Sequence, residues 1–298
     1  MRISEPIKGT IAIGLSAIMW GFDGVVLTPR LYNLEVGYVV FMLHMIPFLL
    51  MNLFLFRQYR ELKNFTRQDY ITFSLVALFG GAIGTIAIVK ALFLVQFQQL
   101  SVVVLLQKLQ PIFAIALASV LLKEKIKKNF VIWASLAVIA SYFLTFGLHL
   151  PDVNSDRNAI NAALLAVLAA FSFGSSTVFS KSLLKRHNFV TATFFRYGFT
   201  AVFMLIYVVL FSDIGQIEVT TKYNWIFLLI IGVTTGSGAI FIYYYGLKRV
   251  KAIVATISEL LFPVSAIFFD YIVNGSYLSP VQFIAAGIMV FALVKLSL

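Results

Sequence analysis

The chain has 298 residues, 61% of them hydrophobic and only 12% charged, with a mean hydropathy of +0.96. Soluble proteins carry about 25% charged residues, so this composition excludes a water-soluble domain and sets the chain among integral membrane proteins. The net charge of +11 is not a nucleic-acid signature, because no soluble basic domain remains to present it. The absence of cysteine excludes disulfides, thiolate metal sites and cysteine nucleophiles.

A helical span needs about 20 apolar residues. Ten segments qualify: 9–30, 36–56, 70–93, 99–122, 130–148, 159–181, 190–211, 223–246, 251–273 and 279–297. They are continuous apolar runs, so they read as helices and not as the alternating strands of a barrel. Met1 to Lys8 is short and polar, and the run that follows passes Thr28 without a small-residue cleavage site. It is therefore expected to remain as a span and not to leave as a signal peptide.

Each span carries its own polar marks. Span one holds Trp20-Gly21 and Asp23, span two His44, and span three Gly80, Gly84 and Lys90. Span four holds Gln107, Lys108 and Pro111. After the loop His149–Arg157, span six holds Phe173-Gly174 and span seven Arg196. Span eight holds Gly232, Gly236 and Tyr243-Tyr244-Tyr245, and span nine Glu259, Pro263 and Asp270.

The basic residues set the orientation. With the N-terminus inside, Arg2, Lys8, Arg57, Arg60, Lys63, Arg67, the cluster Lys123 to Lys128, Lys181, Lys185, Arg186, Lys248, Arg249, Lys251 and Lys295 all fall on the inner side. Arg30, Arg157 and Lys222 fall outside. The positive-inside rule then places both termini in the cytoplasm.

The two halves echo each other. Pro111 and Pro263 are 152 residues apart, as are Gln107 and Glu259, Gly80 and Gly232, Gly84 and Gly236, and His44 and Arg196. Trp20-Gly21 matches Phe173-Gly174 at 153. Five spans is an odd number, so a repeat of this kind must be inverted, and polar, proline-broken segments in matching places point to a central binding site.

These residues resemble the drug/metabolite transporter superfamily, in its bacterial ten-helix branch built from two EamA repeats. The resemblance rests on Trp20-Gly21, on Gly80 and Gly84, and on Pro111 followed by Leu121-Leu122-Lys123-Glu124-Lys125. It rests also on Ala252-Ile253-Val254-Ala255 leading to Glu259 and Pro263, and on Arg196. It covers essentially the whole chain. Asn274-Gly275-Ser276 departs from it, standing where relatives carry a glycine-glutamate pair. The resemblance implies an all-α, polytopic membrane protein with ten transmembrane helices in two inverted five-helix repeats, 1–148 and 159–298, joined by an outer loop at 149–158. It implies a bacterial cytoplasmic membrane, and a cavity among spans three, four, eight and nine for a small organic solute, with export as the direction.

The expected substrate-binding residues are Trp20, Asp23, His44, Lys90, Gln107, Lys108, Arg196, Tyr243 and Glu259. A charged side chain at bilayer depth costs at least about 2.5–3.5 kcal/mol and so faces a cavity or a partner. Glu259 is read as a carboxylate for a substrate amine or a proton, or else as half of a structural ion pair. Lys108 binds a substrate anion or neutralises Asp23 or Glu259; Asp23 lines the cavity or pairs with Arg30. Lys90 is a ligand or snorkels to the interface. Arg196 touches substrate or anchors to headgroups, and His44 is a ligand or an internally bonded imidazole. Pro111 and Pro263 are expected to kink their helices, and Gly80, Gly84, Gly232 and Gly236 to let helices approach closely.

The mixed interior charges suit a zwitterion such as an amino acid, moved by alternating access and coupled to protons. An importer of a small solute or organic cation is the alternative. Three histidines and no paired acidic motif leave little for an enzyme, and the short loops leave little for a docking subunit to grip. No cofactor or metal is expected. The partners expected are a small molecule, the bilayer and protons, with the chain a monomer or homodimer.

Overall fold

A computed structural model describes residues 4–95, 103, 106–150, 157–211, 215–275, 277 and 279–297. In lipid a backbone must satisfy its own hydrogen bonds, and the described residues form helices with no strand. They are α1 (Glu5–Leu31), α2 (Val36–Leu55), α3 (Arg67–Leu94), α4 (Gln110–Leu121), α5 (Lys128–Phe146), α6 (Arg157–Leu184), α7 (Phe189–Phe211), α8 (Lys222–Arg249), α9 (Ala252–Val273) and α10 (Pro280–Ser297). Among the described residues 7 helices are long and apolar enough to cross a membrane, and α4, α5 and α10 are shorter apolar helices. The start of expected span four, the middle of the loop 149–158, and Ser276 lie outside the described residues.

Polar side chains mark where helices begin. The Glu35 carboxylate accepts from the amides of Gly37 and Tyr38 at 3.0 Å each and opens α2. Reciprocal capping boxes open α3 at Thr66 and Asp69 and α8 at Thr221 and Asn224. Each box satisfies amides that a helix leaves unpaired at its start. Glu124, from the basic segment after α4, reaches across the chain to accept from the amides of Ala252 and Ile253 at 3.0 and 3.1 Å, and so caps α9. Gly275 ends α9 in the left-handed region at φ 71, where glycine has no steric penalty.

Several helices are not regular. α3 holds a π-helical stretch at Ala77–Ile83, α8 one at Gly232–Gly238, and α1 one at Asp23–Leu27. A wider turn crowds a side chain against the carbonyl five residues earlier. A Cβ on Gly84 would lie 2.6 Å from the Phe79 carbonyl oxygen, and one on Gly236 would lie 2.8 Å from that of Ile231. These glycines, expected only to admit a neighbouring helix, also admit the turn itself. α9 is broken at Glu259-Leu260 between Ala252–Ser258 and the segment that starts at Leu261. In the same way α4 restarts at Gln110 after a turn at Lys108-Leu109. Each restart carries a proline, Pro111 or Pro263, in its first turn, where a missing N–H costs least.

The halves exchange partners. α1 packs on α8 and α9, whereas α6 packs on α3 and α4. α2 lies on α7, α4 on α9, and α5 on α10. Gly21 of α1 sits against Phe262, Ser265 and Ala266, and Gly174 of α6 sits against Gln110, Phe113 and Ala114. The two sets of neighbours are 152 residues apart in the chain. The largest core cluster, which includes Phe73, Phe194, Phe195, Tyr197, Tyr243 and Tyr244, lies where these helices meet. Phe54, at 81% exposed, and Phe211, at 74%, face outward to lipid.

A Cβ on Gly174 would stand 2.8 Å from the Gln110 carbonyl oxygen and 3.0 Å from the Ala114 nitrogen, which are backbone atoms that cannot swing away. Gly174→Val is therefore expected to destabilise by about 1–3 kcal/mol, the usual cost of overpacking, read as a lower unfolding midpoint in detergent. Gly287→Ala, with nothing within 4 Å of its added Cβ, is the matched control and should melt no earlier than the parent. Equal midpoints for both variants would contradict the close approach of α6 and α4.

Candidate functional site

The breaks in α4 and α9 bring their polar residues together. Gln110 Nε2 donates to Glu259 Oε2 at 2.7 Å, so an amide from the first half of the chain binds a carboxylate from the second. Tyr243 of α8 donates to Glu259 Oε1 at 2.6 Å. Since Tyr243 gives its hydrogen to the carboxylate, Thr177 of α6 donates to the phenol oxygen at 3.0 Å. Trp20 of α1 closes the cluster, with its ring 5.4 Å from that of Tyr243 and tilted by 54°. Five helices thus meet at one carboxylate, which makes no ion pair among the described residues. A carboxylate has about four acceptor sites, and two hydrogen bonds leave room for more.

A second cluster adjoins it through Tyr244, whose ring lies 6.0 Å from Tyr243. Arg196 donates through Nη1 to the Tyr244 hydroxyl at 3.1 Å and through Nη2 to the Gly80 carbonyl at 3.1 Å. Ser180 holds the same hydroxyl at 2.7 Å. Gly80 lies in the π stretch of α3, so Arg196 ties α7 to the irregular parts of α3 and to α8. The guanidinium carbon stands 5.6 Å from the centroid of the Tyr244 ring. Among the described residues Arg196 Nε, Thr235 Oγ1, Ser172 Oγ, Ser175 Oγ and Thr256 Oγ1 are buried without a hydrogen-bond partner. They sit on α6, α7, α8 and α9, four helices that also build these clusters. An unmet buried polar atom costs about 1–3 kcal/mol, so each is a place where a further hydrogen bond would stabilise the fold.

The residues singled out in the sequence divide into groups. Trp20, Tyr243 and Glu259 are brought together, and Arg196 stands next to them. His44 is buried, with Nδ1 2.8 Å from the Val40 carbonyl, and its ring lies 5.4 Å from that of Tyr197. Because a carbonyl only accepts, Nδ1 carries the hydrogen. Asp23 accepts from Thr28 at 3.0 Å within its own helix, and Arg30, its suggested partner, is exposed. Lys108 donates to the Ser141 carbonyl of α5 at 3.2 Å. Lys90 is exposed, and Gln107 is half-buried in the turn before α4. No group of three or more His, Asp or Glu that could hold a metal occurs among the described residues.

Gln110, Thr177 and Tyr244 were not among the expected binding residues, although Tyr244 belongs to the marked tyrosine run. Gln110 adjoins Pro111 in the same polar segment, and Thr177 lies one turn beyond Gly174. The proximity of both to marked residues was the available signal.

The comparisons with known proteins agree on what kind of molecule this is. The EamA-like transporter family matches the chain twice, at residues 7–146 and 160–298. The riboflavin transporter ImpX of Fusobacterium nucleatum is 51% identical over 292 residues, covering 98% of both chains. An uncharacterized transporter of Archaeoglobus fulgidus is 25% identical over 205 residues, covering 66% of this chain and 67% of its own. A crystal structure of a protein 17% identical overlays with a TM-score of 0.70 over 96% of this chain and 95% of its own, which shows a shared fold. The chain is therefore a multi-span membrane transporter of a small molecule and not an enzyme, and it belongs to the EamA-like transporter family.

Proposed function

We propose that this protein moves riboflavin, or a flavin closely like it, across the bacterial cytoplasmic membrane. The observation that carries the reading is the 51% identity, end to end, with a riboflavin transporter. The site supports it. A flavin is a flat, uncharged aromatic ring system whose pyrimidine edge carries hydrogen-bond donors and acceptors and whose tail carries hydroxyls. Trp20 and Tyr243 offer aromatic rings, and Glu259 and Gln110 offer an acceptor and an amide beside them. Of the charges that suggested a zwitterion, Lys108 bonds to the Ser141 carbonyl of α5, and Glu259 bonds to an amide and a phenol, with Arg196 in the adjoining cluster. A neutral, polar aromatic solute is the reading favoured over a zwitterion, on the strength of the riboflavin-transporting relative.

The mechanism proposed is alternating access by two inverted halves, 1–148 and 159–298, with ten crossings and both termini in the cytoplasm. Support comes from the reciprocal packing of α1 on α8 and α9 and of α6 on α3 and α4, and from the matched contacts of Gly21 and Gly174. In this scheme the π stretches and the broken helices are where backbone geometry changes as the halves rock. Glu259 touches both halves, which makes it the group through which a proton would couple to that motion. Export, the direction implied by the family resemblance, is read by comparing efflux from loaded vesicles with uptake into empty ones.

Flavin fluorescence makes the tests direct. Trp20→Ala should weaken riboflavin binding about 2- to 12-fold, corresponding to roughly 0.5–1.5 kcal/mol for one aromatic pair. Tyr243→Phe removes an internal donor to a carboxylate, worth about 1.5–3 kcal/mol of stability, and by leaving Glu259 Oε1 unbonded should change the riboflavin affinity. If neither variant changes the titration, the flavin does not sit here. Glu259→Gln should abolish the response of flux to an imposed pH gradient while flavin-driven exchange persists. A response of parental size would remove Glu259 as the coupling group.

A further inference from the structure

Between α2 and α3 the chain forms a nine-residue 3-10 helix, Phe56–Asn64. Such runs seldom exceed 3–4 residues, and this one has a sequence with the matching period. It reads Phe-Arg-Gln, Tyr-Arg-Glu, Leu-Lys-Asn: an apolar residue, a cation and a polar residue, three times over. At three residues per turn, residues i and i+3 eclipse, so the triplets become three separate stripes along the helix.

Two stripes make contacts within the protein, although Phe56 on the first is 56% exposed. On the apolar one, the Tyr59 ring meets Phe194 edge-on at 5.2 Å and Phe195 at 6.3 Å, and Leu62 packs on the same core cluster. On the polar one, Gln58 accepts from Thr191 at 2.7 Å and Asn64 donates to Glu61 at 3.4 Å. The third stripe, Arg57, Arg60 and Lys63, is exposed and makes no ion pair among the described residues. With a rise of about 2.0 Å per residue, these cations recur roughly every 6 Å. That spacing is within one Debye length at physiological salt, so they repel one another unless anions lie over them. The stripe begins where the outward apolar run of α2 ends: Leu53, Phe54 and Phe56, 67%, 81% and 56% exposed, immediately precede Arg57. A switch from outward apolar to outward cationic side chains is what a helix shows where it leaves the hydrocarbon for the headgroups.

We propose that Arg57, Arg60 and Lys63 form a docking rail for anionic phospholipid headgroups of the leaflet at this end of the molecule. A row of fixed cations on an amphipathic segment at the bilayer surface is the chemistry that binds such lipids. The rail is tied through Gln58, Tyr59 and Leu62 to the beginning of α7, whose Thr191, Phe194 and Phe195 immediately precede Arg196. Lipid bound to the rail therefore steadies the helix end that positions the buried guanidinium. The rail does not depend on which solute is carried.

The test uses the full chain reconstituted in vesicles of neutral phosphatidylcholine, with and without phosphatidylglycerol. The parent should unfold at a higher temperature when phosphatidylglycerol is present. The triple variant Arg57→Gln, Arg60→Gln, Lys63→Gln should lose most of that difference while matching the parent in neutral lipid. The variant Arg57→Lys, Arg60→Lys, which keeps the charge, should retain it. Should the triple variant also unfold early in neutral lipid, the parent alone decides: the phosphatidylglycerol effect must fade as salt is raised. The proposal is overturned if the triple variant keeps the full lipid effect, if salt leaves the parent's effect intact, or if inorganic phosphate reproduces it in neutral vesicles.

Discussion

The structure depends on one carboxylate being tolerable where water is scarce. An isolated charge taken into an apolar medium is so costly that it must be paired, hydrogen-bonded or neutralised. Glu259 meets that requirement with two neutral donors, an amide from α4 and a phenol from α8. Neither donor cancels its charge, so the group stays responsive to a proton or to a ligand that offers a further hydrogen bond. A lysine or arginine in the same place would have made a closed ion pair. The two sites where α4 and α9 break their helical run are what let Gln110 and Glu259 meet at all.

The rest of the architecture serves that meeting. α1 and α6 each wedge against the broken helix of the opposite half, and both do so through a glycine, Gly21 or Gly174, because a larger side chain would strike backbone atoms. Arg196 holds the π stretch of α3 to Tyr244, and Tyr244 adjoins Tyr243, which holds Glu259. A change at the carboxylate therefore has a continuous path of hydrogen bonds and ring contacts to helices of both halves. On the proposed mechanism this path is how occupancy of the site is felt by the irregular backbone segments that would move.

Much of this was legible in the sequence, for identifiable reasons. Span limits are set by bilayer thickness, so 36–56 and 190–211 fall within a residue of Val36–Leu55 and Phe189–Phe211. The echo of Pro111 in Pro263 located the two helices that meet. It did not locate the contact, because a helix that stops at Lys108-Leu109 and restarts at Gln110 resets the direction of its side chains. The 152-residue echo matches Glu259 to Gln107; the carboxylate is in fact reached by Gln110, while Lys108 bonds to Ser141. The small-residue pairs in spans three and eight suggested close packing, but nothing in their spacing separates a packing glycine from one that admits a wide turn. The three-residue period of Phe56–Asn64 was present in the letters, yet a cationic stretch between two spans reads first as an ordinary inner loop.

The account rests on Gln110 and Glu259 acting as one unit in the substrate's path. A double-mutant cycle measures this directly, with riboflavin affinity determined for the parent, Gln110→Ala, Glu259→Gln and the combined variant. Residues sharing a hydrogen bond usually show coupling of about 0.5–3 kcal/mol, and the account predicts a cycle that fails to add by an amount in that range. Additive effects, or affinities unchanged in all three variants, would contradict it.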